Sequence, residues 1–159
     1  MIGANIALQL NFEREGLWVK GDAEWITNVV VNLISNARDA MPQGGIITVE
    51  TSRVNVGPDL VRRKVSESKD FAGIASPSEG NYVRLLVRDN GTGMDATTKA
   101  KCFNPFFTTK DVGKGTGLGL CIVYGVVKQS DGWISMESEL GRGTNVEVYL
   151  PEIPAHVGP

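Results

Sequence analysis

Histidine is almost missing from this sequence. The single one, His156, follows the last expected strand and has no helical context around it. Cysteine is nearly as scarce: Cys102 and Cys121 form no Cys-x-x-Cys and have no histidine companion, so the spacing suggests neither a zinc site nor a redox pair, and reduced, packed thiols are expected. No run of about 18 apolar residues and no basic-then-apolar leader occurs, so nothing here crosses a membrane by itself. A cytoplasmic domain is expected, whether or not a longer parent is membrane-anchored. A dominant charge is lacking too. Sixteen basic against 18 acidic residues give a formal charge of -2, which offers no electrostatic case for nucleic acid or direct contact with an anionic membrane. Neither Gly-x-x-x-x-Gly-Lys-Ser/Thr nor a Gly-x-Gly-x-x-Gly fingerprint is present, and no internal repeat is found.

What is present suffices for one domain. A chain of 159 residues, 42% hydrophobic and 21% charged, buries roughly 70% of the surface its unfolded form exposes. Ile6, Leu8 and Leu10 alternate with polar or small residues as in a half-buried strand, with Leu17 to Lys20 as its short neighbour. Asp22 reads as an N-cap, after which Ile26, Val29, Val30, Leu33, Ile34, Ala37 and Met41 recur at helical spacing until Pro42 and Gly44-Gly45 stop the helix. Strands are expected over Ile46 to Val54 and Tyr82 to Asp89. Between them the polar stretch Asn55 to Asn81 predicts a short helix near Asp59 to Val65 and a mobile remainder. Further helices follow at Asp95 to Cys102 and Leu118 to Gln129, then a hairpin of Trp133 to Glu137 and Asn145 to Leu150 around Gly141-Arg-Gly143. The predicted architecture is an α/β two-layer sandwich, a mixed and mainly antiparallel sheet with helices on one face. The domain spans 1–151, and the Pro-rich residues 152–159 form a tail or linker.

Four segments carry the chemistry. Asn28, Asn32 and Asn36 lie one helical turn apart and form a stripe of amides. Asparagine is a poor helix-interior residue; paired carbonyl oxygens on one face suit a hydrated Mg²⁺, and a solvated polar face suits them equally. Asp89 shares its parity with the inward Val83, Leu85 and Val87, so its carboxylate enters the interior where the strand ends. Such a group needs a donor, and an adenine amino group would be one, with Gly91 and Gly93 admitting the base close to the backbone. A plain Asp-Asn-Gly turn explains the glycines but not the parity. Gly113, Gly115, Gly117 and Gly119 alternate, with Lys110 and Lys114 nearby, and lead into a helix start, where backbone N–H groups and the helix dipole favour phosphates. Such a run also suits a mobile lid. Phe103, Phe106 and Phe107 are expected to anchor its base in the core.

In this order the segments Asn32 to Met41, Asp89 to Gly93, Phe103 to Lys110 and Gly113 to Gly119 resemble the N box, first glycine box, F box and second glycine box of sensor histidine kinase ATP-binding domains. These belong to the superfamily that includes gyrase, the mismatch-repair ATPases and large heat-shock chaperones, with the Bergerat fold. The Asn-Ala-Arg-Asp-Ala-Met form looks most like the nitrogen-regulator and hybrid PAS-containing kinases. The resemblance runs from about Asn5 to Pro151. It implies that Asn36 coordinates Mg²⁺ with Asn32 in support, and that Asp89 receives the adenine amino group, with Thr144 nearby and Gly91, Gly93, Met94 and Phe103 around the base. It further implies that Lys110, Gly113, Lys114, Gly115, Thr116, Gly117, Leu118 and Gly119 surround the phosphates, and that Asn32, Asn36 and Lys110 serve transfer. Where many relatives carry a basic residue three positions after the metal-binding Asn, this chain has Asp39, placed in the nucleotide site by position; Arg38, one earlier, is not carried over as a phosphate contact.

Hydrolytic superfamily members have a water-activating Glu four residues before that Asn, and Asn32 stands there instead. The resemblance thus implies a protein-histidine kinase catalytic domain that presents ATP for transfer to a histidine on a dimerisation domain, upstream of a response regulator receiver. A GHKL-type ATPase and a nucleotide-binding module of a pseudokinase are the competing readings. The lone His156 leads to the expectation that the chain is an excised, monomeric domain unable to phosphorylate itself.

Overall fold

The computed structural model describes residues 5–67, 78–110 and 115–155. Five strands, β1 (Ile6–Phe12), β2 (Gly45–Val56), β3 (Gly80–Asp89), β4 (Trp133–Glu139) and β5 (Gly143–Pro151), form one sheet in the order β1-β2-β3-β5-β4. Only β1 and β2 run parallel; the other neighbours are antiparallel. Helices α1 (Ala23–Asp39) and α4 (Gly119–Gln129) pack on one face, with the short α3 (Ala96–Lys101) near the end of β3. The two-layer α/β sandwich is the one the sequence predicted.

The expected start of α1 is observed, and the helix ends at Asp39, before Met41. Asp22 caps α1 by accepting the Glu24 N–H at 2.7 Å, and Asp95 caps α3 by accepting the Thr98 N–H at 2.7 Å. Between the layers lie Val29, Leu33 and Ala37 of α1, Val123 and Val127 of α4, and Ile47, Val49, Val87, Ile134, Met136, Val146 and Val148 of the sheet. Their alternation along the strands places them on one face, and Asp89, two residues after Val87, shares it.

The segment between β2 and β3 supplies α2 (Pro58–Glu67), close to the helix expected there; its remainder, with the mobility expected of it, falls at 68–77, outside the described residues. Helix α2 lies on the opposite face. Leu60 and Val61 pack against Val54, Val56, Tyr82, Trp133 and Tyr149, and the Trp133 and Tyr149 rings stack 3.7 Å apart.

Three expectations are corrected. The apolar set of β1 is half-buried only at Ile6, which packs against the core: Leu8 and Leu10 are 40% and 52% exposed, because β1 is the sheet's edge and α1 packs over β2 and β3. Leu17 to Lys20 is not a strand beside β1, since Val19 makes an isolated antiparallel bridge to Glu152. That bridge, the Ile153 N–H donated to the Trp18 carbonyl and an ion pair between Arg53 and Glu152 join residues 152 and 153 to the segment around Trp18 and to β2. Finally, Phe106 does not anchor the lid in the core. It is 75% exposed at a φ of 66°, whereas Phe103 packs beside Tyr124.

Candidate functional site

A cavity of about 430 Å³ opens between α1, the ends of β3 and β5, and the segment leading into α4. Its wall on α1 is the amide stripe together with the helix's last turn: Asn32, Asn36 and Asp39. The Asn32 amide N–H donates to the Asn28 carbonyl at 2.8 Å, which turns its Oδ1 toward Gly119, where a Cβ would sit only 3.1 Å from that oxygen. Asn36 makes no side-chain hydrogen bond among the described residues and faces the same space. Two neutral amide oxygens fit a cation that keeps its waters and shares phosphate oxygens. No cluster of three His, Cys, Asp or Glu side chains able to hold a metal on their own exists among the described residues.

Asp89 forms the floor. It is 7% exposed, its Oδ1 accepts the Gly91 N–H at 2.8 Å, and no cationic side chain pairs with it among the described residues. Burial pushes its carboxyl above the ordinary value, while backbone N–H bonds from Gly91 and Thr144 pull back in part. The turn after it is locked by close backbone approach. The Thr92 N–H donates to the Ala40 carbonyl at 2.9 Å, and a Cβ on Gly91 would stand 2.5 Å from that oxygen. At Gly93, φ is 63° and a Cβ would meet the Glu139 carbonyl oxygen at 2.0 Å, so only glycine fits. Around the floor, Thr144 shares a 2.9 Å hydrogen bond with Ser138, whose hydroxyl also receives the Met94 N–H.

The third wall joins the F box to the second glycine box. The Phe106 N–H donates to the Gly117 carbonyl at 2.9 Å, and Gly117, at φ 65°, lies so near that a Cβ would strike the Phe106 carbonyl carbon at 2.4 Å. Lys110 crosses the mouth to Asp39, its Nζ 2.5 Å from Oδ2, while the Arg38 guanidinium holds Oδ1 at 2.6 and 2.8 Å. Burial works to raise the Asp39 carboxyl, yet the bonds from Lys110 and Arg38 hold it below its ordinary value. Helix α4 begins at Gly119 with Leu118 as N-cap and no side-chain cap, leaving first-turn N–H groups without a capping side chain beside the cavity.

The fold thus brings together Asn32, Asn36, Asp39, Asp89, Gly93, Met94, Lys110, Gly115, Thr116, Gly117, Gly119 and Thr144. Gly91 and Leu118 act from behind the lining, and Phe103 belongs to the core. Gly113 and Lys114 lie outside the described residues. Sequence reasoning missed Thr98, Cys102, Phe107, Thr108, Met136 and Val146, all of which line the cavity. Met136 and Val146 were findable through strand parity, whereas Thr98 and Cys102 arrive only by the docking of α3. The Cys102 thiol is pushed up to about 12 by burial, which makes it an inert wall.

This arrangement has counterparts in known proteins. The chain is 44% identical over 154 residues to the sensor kinase CckA of Brucella abortus, covering 96% of this chain and 15% of that protein. It is 32% identical over 149 residues to sporulation kinase C of Bacillus subtilis, covering 93% and 28%. The chain therefore spans less than a third of either relative. Among solved structures, the nucleotide-free catalytic domain of the histidine kinase ThkA matches with a TM-score of 0.65 at 27% identity, over 94% of this chain and 82% of that one. The mycobacterial sensor histidine kinase MprB shares the fold, with a TM-score of 0.67 at 22% identity over 95% and 85%. A profile match over residues 21–154 takes in α1, the turn after β3 and the glycine-rich wall together, and by it the chain belongs to the histidine kinase-, DNA gyrase B- and HSP90-like ATPase family.

Proposed function

We propose that this chain is the ATP-binding catalytic domain of a two-component sensor histidine kinase, which presents the γ-phosphoryl group to a histidine on a separate helical dimerisation module. A response regulator receiver domain then takes the phosphoryl group. The observation that carries this reading is the pairing of Asn32 with Asn36 on the wall opposite Asp89. An amide at position 32 cannot take a proton from water, so the site is built to hold ATP rather than to hydrolyse it.

Each wall has one task. Asp89 accepts the exocyclic amino group of adenine, and the glycines at 91 and 93 let the ring plane lie against backbone. Lys110 and the N–H groups at the start of α4 receive the phosphates, with the glycines of the lid approaching them closely. Asn36, supported by Asn32, holds Mg²⁺, which neutralises phosphate charge when bound. Phosphoryl transfer asks for alignment and charge neutralisation more than for covalent chemistry, and the residues around this cavity are of the types that supply both. No helix among the described residues is long and apolar enough to cross a membrane.

Calorimetric titration with ADP and a non-hydrolysable ATP analogue, with and without Mg²⁺, tests the reading. Saturable binding is expected, and Asn36→Ala should abolish its metal dependence. Mixed with a histidine-bearing dimerisation module, the chain should label that module from ATP and show no turnover alone. Steady ATP hydrolysis by the isolated chain would instead place it with the hydrolytic branch of the family.

A further inference from the structure

Asp39 is an odd residue for its position. It is the last residue of α1, and a carboxylate there stands against the helix dipole, which favours a cation at that end. It also faces the wall of the cavity formed by Lys110 and the start of α4, which favours anions. The geometry accounts for it through its partners. One oxygen is held by the Arg38 guanidinium, which also reaches the Ser35 hydroxyl at 3.2 Å, and the other receives the Lys110 ammonium across the mouth. Lys110 is held there along its stem as well. A Cβ on Gly115 would touch its Cδ at 2.9 Å and the Thr108 hydroxyl at 2.7 Å, so the glycine-rich return is packed onto the lysine in this position.

Resting on the nucleotide reading above, we infer that Asp39 is an internal anion that occupies Lys110 until phosphates displace it, and so sets how strongly the site discriminates between nucleotides that carry terminal phosphates and adenosine, which has none. The carboxylate offers the ammonium an oxygen at hydrogen-bond distance, as a phosphate would. A nucleotide whose phosphates reach Lys110 must break that bond, and its apparent affinity falls by the fraction of molecules in which the bond is closed. Adenosine, bound at Asp89, competes with nothing at Lys110. Arg38 keeps the displaced carboxylate neutralised, so the exchange leaves no bare charge at the helix end.

The experiment is a titration of the whole chain with adenosine, ADP and a non-hydrolysable ATP analogue, for the wild type, Asp39→Asn, Lys110→Met and the double variant, with Asp39→Ser as a second replacement should Asn disturb the helix end. Asp39→Asn should tighten the ATP analogue by roughly two- to five-fold, the range set by a partly exposed ion pair, and leave adenosine unchanged. In the Lys110→Met background that gain should shrink. A gain that persists undiminished without Lys110 would mean plain charge repulsion and would overturn the inference. So would an unchanged or weakened affinity for the ATP analogue in Asp39→Asn, or an equal change for adenosine. Failure of the wild type to bind any of the three ligands would overturn the nucleotide reading itself, a result distinct from all of these.

Discussion

Both faces of the sheet bury a charge, and they treat it in opposite ways. On the outer face, under α2, Lys64 is 5% exposed and fully partnered: its ammonium donates to Glu147 at 2.7 Å and to the Ser135 hydroxyl at 3.1 Å, beside stacked Trp133 and Tyr149. On the inner face Asp89 is 7% exposed, holds backbone N–H groups and no cation among the described residues, and borders a cavity. A buried charge that already has its counter-ion is a fastening. One with spare acceptor capacity beside a cavity is placed to meet a ligand, which is the role proposed for Asp89. The aromatic patch makes the same point, since α2 packs over it and the Trp133 Nε1 is buried with no hydrogen-bond partner among the described residues.

Substitution should separate the two faces cleanly. Glu147→Ala removes the nearer counter-ion of the buried Lys64 ammonium, leaving Glu137 at 3.9 Å and the Ser135 hydroxyl, and is expected to cost about 1–3 kcal/mol of folding stability, read from urea denaturation, with nucleotide affinity unchanged. Asp89→Asn should do the reverse. Adenine recognition falls by about 1–3 kcal/mol, measured by calorimetry, while stability holds because the amide oxygen still accepts the Gly91 N–H. If Asp89→Asn unfolds the domain and Glu147→Ala abolishes nucleotide binding, the assignment of the two charges is inverted.

Acidification gives the smallest and most discriminating test. The Asp89 carboxyl is raised above its ordinary value, so its ionised form weakens the native state at neutral pH, and that cost is relieved as pH falls through the raised value. Adenine recognition needs the ionised acceptor and is lost over the same window. Adenosine, whose affinity no phosphate titration can disturb, should begin to dissociate at a higher pH than an ordinary carboxylate would dictate, and Asp89→Asn should flatten that profile. A wild-type profile as flat as the variant's would remove Asp89 from the base.

Much of the site could be read before any coordinates. Helical spacing placed Asn32 and Asn36 on one wall, strand parity turned Asp89 inward, and alternating glycines before a helix start marked the third wall. Each of these is a local property, fixed by the period of the element that carries it. Leu8 and Leu10 show where such reasoning stops: alternation says which residues share a face, and the order of strands says whether anything covers it. The exposure of Phe106 follows from a hydrogen bond to Gly117, eleven positions away across segments with no common period.

The sequence by itself determined the element types, the two-layer class and the chemical character of the walls, because caps, periods and glycines act within a few residues of one another. Only the tertiary structure decided that α2 seals the outer face through Lys64, that Cys102 and Thr98 close the cavity, and that Asp39 meets Lys110. Those contacts join residues 71 and 83 positions apart, as for Asp39 with Lys110 and Lys64 with Glu147. The energy of such a pair depends on burial and distance, and no pattern along the chain carries either.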